Sequence, residues 1–109
     1  MNSDKISACI NACNDCAFAC EHCATECLQG GTSVDLERCI RLDIDCAAIC
    51  RLATSYMARN SEAADAVCEL CADICKLCAE ECERHDHDHC QKCAQACRDC
   101  IDACLGMVA

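Results

Sequence analysis

The sequence predicts an all-α protein, an antiparallel up-down-up-down four-helix bundle whose core is lined with thiols. Nineteen of its 109 residues are cysteine, and most of them recur in steps of three and four. That spacing places side chains on one face of an α-helix, whereas a β-strand would require steps of two. Proline is absent and glycine occurs only at Gly30, Gly31 and Gly106. Long helices with few interruptions are therefore expected, and residues 1–109 should form a single domain.

Helix 1 is predicted over residues 3–29, because a Gly30-Gly31 pair follows and glycine is favoured just after a helix. Its cysteines step by 4-3-4-3-4, as the a and d positions of heptads do. This inward stripe consists of Cys9, Cys13, Cys16, Cys20, Cys23 and Cys27.

Helix 2 is predicted over residues 34–58, with a sparser stripe of Cys39, Cys46 and Cys50. Other residues should fill the remaining inward positions of this helix: Leu42, Ala53 and Met57. Asp43 lies beside the stripe and is expected to be solvated, the alternative being a polar group that supports the metal ligands.

Helices 3 and 4 are predicted over residues 62–84 and 87–105, with Ser61 and Asp86 as N-caps. Both carry cysteines in steps of 3-4-3-4. The stripe of helix 3 is Cys68, Cys71, Cys75, Cys78 and Cys82, and that of helix 4 is Cys90, Cys93, Cys97, Cys100 and Cys104.

Short links make neighbouring helices antiparallel, so the stripes can be aligned in layers across the bundle. The predicted layers, in order along the axis, are Cys27/Cys39/Cys82/Cys90, Cys23/Leu42/Cys78/Cys93, Cys20/Cys46/Cys75/Cys97, Cys16/Cys50/Cys71/Cys100 and Cys13/Ala53/Cys68/Cys104. Cys9 and Met57 lie beyond the last layer. In any register, the core is lined with thiols.

Composition excludes several classes of protein. The net charge is −10, and Phe18 and Tyr56 are the only aromatic residues, which argues against nucleic-acid binding. No apolar run is long enough for a transmembrane helix. The sequence starts without an apolar segment typical of an export signal, so a cytoplasmic location is expected.

A disulfide scaffold also fits poorly. The number of cysteines is odd, and the cytosol keeps thiols reduced. Eight CxxxC pairs place their Cβ atoms about 5–6 Å apart on a helix, whereas a disulfide requires about 3.5–4.5 Å. Two sulfurs at this spacing can instead converge on a metal ion. Packing alone does not explain the stripes, since larger side chains fill a core better.

Thiolates favour soft metals, principally Cu(I) and Zn(II). Four or five Zn(II) ions in tetrathiolate sites would leave a buried charge of roughly −9, which is very unfavourable. Cu(I) at about one ion per thiolate would leave the core close to neutral. The sequence therefore favours many Cu(I) ions, on the order of one per cysteine, bridged along the stripes.

A route of entry is suggested by His85, His87 and His89 in the predicted link between helices 3 and 4, because imidazole binds copper. A solvated polar loop is the alternative. His22 is expected to be an ordinary surface residue. The opposite end, with Ile6, Tyr56, Met57 and Met107, is expected to form a plug.

Several segments together resemble the bacterial copper storage proteins, in particular the cytosolic type, over essentially the whole chain. They are the CxxxC-rich helix 1, CIRLDIDCAAIC (39–50), CELCADICKLCAEEC (68–82) and HDHDHCQKCAQAC (85–97). The resemblance implies a cytosolic Cu(I) store, ligation by cysteines of all four helices and by a histidine near the mouth, and a homotetramer. A copper chaperone is a possible partner.

Two alternatives remain open. The first is sequestration of Zn(II) or other soft metals in the manner of a metallothionein. The second is a thiol oxidoreductase that uses one CxxC, which requires an exposed, acidic thiol. No arrangement of residues suited to hydrolysis is evident, so the sequence does not predict an enzyme.

Overall fold

Four helices make up the described part of the chain, residues 3–30 and 34–108 of a computed structural model. The helices are α1 (Ser3–Gln29), α2 (Val34–Ala58), α3 (Ala64–Glu83) and α4 (Asp88–Val108). Each helix packs against the next one along the chain, and α4 packs against α1. The predicted four-helix bundle is confirmed, and it measures 45 × 17 × 17 Å.

The bounds of the first two helices agree with the sequence prediction. Gly30 follows α1, and its N–H donates to the carbonyl of Glu26 at 3.1 Å; Gly31 lies outside the described residues. Gly106 does not end α4, which continues to Val108 instead of stopping at residue 105.

The start of α3 differs from the prediction. The helix begins two residues after position 62, its N-cap is Ala63, and no side chain caps it. Ser61 instead closes the preceding turn, because its hydroxyl accepts the N–H of Ala63 at 3.1 Å and its carbonyl accepts that of Ala64 at 3.0 Å. The predicted N-cap role of Ser61 is therefore wrong.

The start of α4 differs in the same way. Asp88 is its first residue, so Asp86 lies too far from the helix to be its N-cap. The carbonyl of His87 accepts the first helical hydrogen bonds, from Cys90 and Gln91, both at 3.0 Å. Caps are local choices between neighbouring polar residues, and composition alone does not decide between them.

Asn60 ends α2 in a left-handed conformation, with φ 54°. The N–H of Asn60 donates to the carbonyl of Met57 and that of Ser61 to the carbonyl of Tyr56, both at 3.0 Å. This pair of bonds is the Schellman motif, in which glycine or asparagine is preferred. It turns the chain directly into α3.

Replacing Asn60 should test this helix end. Asn60→Ala should lower the free energy of unfolding by about 1–2 kcal/mol, because a Cβ that lacks a polar partner disfavours the left-handed region. Asn60→Gly should match or exceed the wild type. Urea unfolding of the reduced, metal-free proteins measures both, and an alanine variant as stable as the wild type would contradict the assignment.

Candidate metal centre

The nineteen cysteines form one column of free thiols along the axis of the bundle. Each of them is at most 1% exposed. Neighbouring sulfurs lie 3.5–4.0 Å apart, both within helices, as for Cys71 and Cys75 at 3.9 Å, and between them, as for Cys46 and Cys75 at 3.5 Å. The sequence therefore placed every cysteine on the correct face of its helix.

Apart from Leu42, the predicted layers are correct for helices α2, α3 and α4. The sulfur of Cys50 lies 3.7 Å from Cys71 and 3.9 Å from Cys100, as the fourth layer requires. Cys39 lies 3.6 Å from Cys82, as the first layer requires. The inward residues of α2, α3 and α4 are equally spaced, so the alignment of one layer determines the alignment of these three helices along the bundle axis.

Helix α1 is displaced by about half a layer from the predicted register. Cys16 was placed level with Cys100, but its sulfur lies 3.6 Å from Cys97 and 3.7 Å from Cys46. Cys13 is instead the residue whose sulfur lies 3.5 Å from Cys100. Side chains of packed helices fit between those of the facing helix, so a strictly level arrangement is not favoured.

Because of this displacement, many thiols belong to more than one possible metal site. In each of the following groups, four sulfurs lie within 4.8 Å of one another. The groups include Cys13/Cys71/Cys100/Cys104, Cys16/Cys46/Cys50/Cys75, Cys16/Cys20/Cys46/Cys97, Cys20/Cys78/Cys93/Cys97 and Cys23/Cys27/Cys39/Cys90. A shared thiolate can bridge two ions, so the column resembles a continuous chain of ligands more than a set of separate sites.

Asp43 is fully buried within this column, at 0% exposure, so the expectation of a solvated residue is wrong. Its Oδ1 accepts hydrogen bonds from the thiols of Cys78 at 3.3 Å, Cys93 at 3.4 Å and Cys82 at 3.6 Å. Leu42, predicted to fill this position, is only half-buried.

The spacing of helix 2 already contained the signal for Asp43. Counting it as inward gives the series 39, 43, 46, 50, 53 and 57, whose steps of 4-3-4-3-4 match helix 1. Leu42 is the more hydrophobic residue, but spacing along the helix determines which side chain points inward. A carboxyl group is tolerated there because thiol donors surround it.

Burial, followed by the negative charge of neighbouring thiolates, raises the pKa of Asp43 to about 9. The carboxyl group is therefore protonated near neutral pH in the metal-free protein. Burial also raises the pKa of the Cys27 and Cys68 thiols towards the two ends of the column. A metal ion must displace the protons of these thiols to bind, because only the thiolate is a ligand.

The histidine end of the bundle contains a cleft that reaches the column. Cys27 and His89 line it, and the sulfur of Cys27 lies 3.3 Å from Nε2 of His89. The ring of His87 also lines the cleft and stacks on His89, with centroids 5.3 Å apart. Two of the three predicted histidines therefore line the same cleft as this terminal thiol.

His85 occupies a different position. Its Nε2 lies 2.7 Å from Oε2 of Glu81, in a neighbouring cleft that Asp35, Arg38 and Arg84 also line. Sequence reasoning missed Glu81, which is 2% exposed. Arg84 and His85, three and four residues further along, were the available signal, because those spacings bring side chains together on a helix. His22, as expected, is an ordinary surface residue, with its side chain 52% exposed.

Ile6, Met57 and Met107 line a pocket at the opposite end, where the sequence predicts a plug. Met57 is buried, at 3% exposure, and closes the bundle beyond the last thiols. Tyr56 does not line this pocket; the guanidinium of Arg59 lies over its ring, 4.8 Å from the centroid.

A four-helix bundle with a column of buried, shared thiols and a histidine-lined cleft defines a protein that binds soft metal ions in quantity. Comparison with known proteins identifies the family. The model of the copper storage protein family matches residues 2–109, so the chain belongs to that family.

Individual relatives agree with this assignment. The chain is 52% identical over 102 residues to the uncharacterized cysteine-rich protein YhjQ of Bacillus subtilis, with 94% of each protein covered. It is 50% identical to the Cu(I)-bound copper storage protein BsCsp3, with a TM-score of 0.92, covering 96% of this chain and 99% of that one.

A third relative is a cytosolic copper storage protein from Streptomyces lividans, in a structure of copper loading with five coppers. It is 40% identical and has a TM-score of 0.92, with 96% of this chain and 92% of that one covered. Within residues 3–30 and 34–108, no helix of the present chain is long and apolar enough to cross a membrane.

The buried carboxyl group should give the metal-free protein a characteristic pH dependence. The pKa of Asp43 is about 9 in the folded state, against about 3.9 in an unfolded chain. The folded state therefore keeps a proton that the unfolded state loses between these values, and stability falls as the pH rises. Asp43→Asn lacks this contribution. As the pH rises, the free energy of unfolding of the variant should therefore increase relative to that of the wild type, by up to about 1.4 kcal/mol per pH unit.

Urea unfolding of the reduced, metal-free proteins at pH 5 and pH 7.5 measures that difference. Asp45→Asn is a matched control, because Asp45 is exposed on the same helix. A constant difference between wild type and Asp43→Asn at the two pH values would show that Asp43 is ionised in the folded protein.

Proposed function

We propose that this protein stores Cu(I) in the core of its bundle, with the nineteen cysteines as ligands and on the order of one ion per cysteine. Membership of the copper storage family supports the choice of metal, as does the Cu(I)-bound relative of the same fold. The single observation that carries the proposal is the overlap of the four-thiol groups, for example at Cys16 and Cys46.

Overlap matters because the separation of the sulfurs alone does not discriminate between metals. Zn–S bonds of about 2.3 Å in a tetrahedron place sulfurs about 3.8 Å apart, close to the spacing of the column. Independent tetrathiolate sites, however, cannot each keep four ligands when neighbouring groups share Cys16, Cys20 and Cys97. Bridging thiolates with a singly charged ion use every sulfur and leave the core near neutral.

A thiol oxidoreductase is the less favoured function. A reactive cysteine is partly exposed and has an acidic thiol, whereas each cysteine here is at most 1% exposed. The chain is therefore proposed to be a store and not an enzyme, consistent with the family to which it belongs.

Location is proposed from a relative, and assembly from the family resemblance. The Streptomyces lividans relative is described as cytosolic, and we place the present protein in the cytosol as well. Residues 1–109 are proposed to act as one storage domain. A homotetramer, and delivery of copper by a chaperone, remain proposals that rest on the family resemblance.

The histidine cleft is the proposed mouth of the store. His89 is well placed to receive the ion, because its Nε2 lies 3.3 Å from the sulfur of Cys27. His87 stacks on His89 and completes the site, and His85 acts from the adjacent cleft. An ion bound at Cys27 can then pass from thiol to thiol along the column.

Titration under anaerobic conditions should reveal the capacity of the store. Reduced, metal-free protein should take up about 19 Cu(I) ions from a competing chelator, because a neutral core requires about one ion per thiolate. Zn(II) should saturate at about four or five ions and be displaced by Cu(I). Saturation by Cu(I) at four or five ions, or retention of Zn(II) against excess Cu(I), would contradict the proposal.

Removal of the proposed landing ligand should change the rate of loading more than the capacity. His89→Ala should slow uptake of the first ions several-fold in stopped-flow measurements, because the mouth loses one of its ligands, while saturation stays near the wild-type ratio. His22→Ala is the matched control, since His22 lies on the outer surface. Equal loading rates of His89→Ala and wild type would place the entry route elsewhere.

A further inference from the structure

Glu81 is a buried carboxylate that neither the thiol column nor the cleft at Cys27 accounts for. Its side chain is 2% exposed, and three groups converge on it. Nη1 of Arg38, from α2, lies 2.7 Å from Oε1, and Nη1 of Arg84 lies 3.2 Å from the same oxygen. The second oxygen, Oε2, lies 2.7 Å from Nε2 of His85.

The charges around Glu81 keep it ionised. Burial alone would favour the protonated carboxyl group, but the guanidinium groups of Arg38 and Arg84 both contact Oε1 and stabilise the carboxylate. An ionised carboxylate can only accept hydrogen bonds. The partner nitrogen, Nε2 of His85, must therefore carry a proton.

A proton on Nε2 determines what the rest of the ring can do. In a neutral imidazole the other nitrogen, here Nδ1, then has the free lone pair, and this is the form that binds a metal. Metal-binding histidines commonly donate their second N–H to a carboxylate, which fixes both the tautomer and the orientation of the ring. His85 already has such a partner in the metal-free protein.

The pair of Glu81 and His85 lies next to the thiol column. Arg38 precedes Cys39 and Glu81 precedes Cys82, and the sulfurs of those two cysteines lie 3.6 Å apart. The His85 ring is 13% exposed and shares its cleft with Arg38, the residue before Cys39. A metal ligand at this point would adjoin the α2–α3 side of the column, whereas His89 adjoins Cys27 of α1.

We propose that Glu81 is a positioning residue, which holds His85 with its proton on Nε2 so that Nδ1 is presented to Cu(I) arriving beside Cys39. Arg38 and Arg84 hold Glu81 in turn, so the arrangement exists before any ion binds. The two histidines differ in the nitrogen they offer, Nδ1 at His85 and Nε2 at His89. The part of this proposal that concerns copper rests on the proposed storage function.

The tautomer of His85 can be read without copper. In ¹⁵N spectra of reduced, metal-free protein labelled at histidine, the His85 signals, assigned by their loss in His85→Ala, should show a protonated Nε2 and an unprotonated Nδ1. Glu81→Ala should abolish this preference. Glu83→Ala is the matched control, because Glu83 is exposed on the same helix and pairs with Arg98. A proton on Nδ1 of His85 in the wild type would overturn the proposal, even if Glu81→Ala failed to fold.

Copper binding provides the second measurement. Glu81→Ala should weaken binding of the first Cu(I) ion about 10-fold, the lower end of the effect seen when a carboxylate behind a metal-binding histidine is removed. Glu83→Ala should bind like the wild type, and addition of Cu(I) to the wild type should shift the Nδ1 signal. Unchanged affinity and an unshifted Nδ1 signal would overturn the proposal. If the wild type binds no Cu(I), the proposed storage function is wrong. The tautomer of His85 is measured without copper, so that result would still test the role of Glu81.

Discussion

Contact between thiols across the bundle axis is the interaction on which the rest of the structure depends. Sulfurs from all four helices lie 3.5–4.0 Å from their neighbours, and the column is closed to solvent along its length. Cysteine is a small hydrophobic residue when it is not bound to metal. The helices can therefore pack closely around neutral thiols, and the same side chains become ligands once their protons are displaced.

The close packing of so many ligands limits the charge that the core can hold, because an uncompensated buried charge is very unfavourable. Asp43 is a carboxyl group that contacts the thiols directly, and it is protonated near neutral pH. The thiols that donate hydrogen bonds to Asp43 therefore have an acceptor that carries no negative charge. A monovalent metal maintains the balance, because each ion replaces about one proton.

The two ends of the bundle are built from different chemistry. At one end, polar and titratable side chains approach the column, with His89 at Cys27 and the Glu81–His85 pair near Cys39. At the other end, Met57 and Ile6 close the core. The two ends of the column therefore differ chemically, and the proposed entry at the histidine end leads into a column that is covered beyond Cys9.

The sequence by itself determined the helices, the inward face of each and the chemistry of the core, because a repeat of three and four residues is a local property that needs no tertiary information. Only the tertiary structure decided the offset of α1, the thiols that Asp43 contacts and the partner of His85. Each of these depends on how a side chain fits between residues of another helix. Cys16 lies between layers and Glu81 meets Arg38 from α2, and no spacing within one helix specifies such contacts.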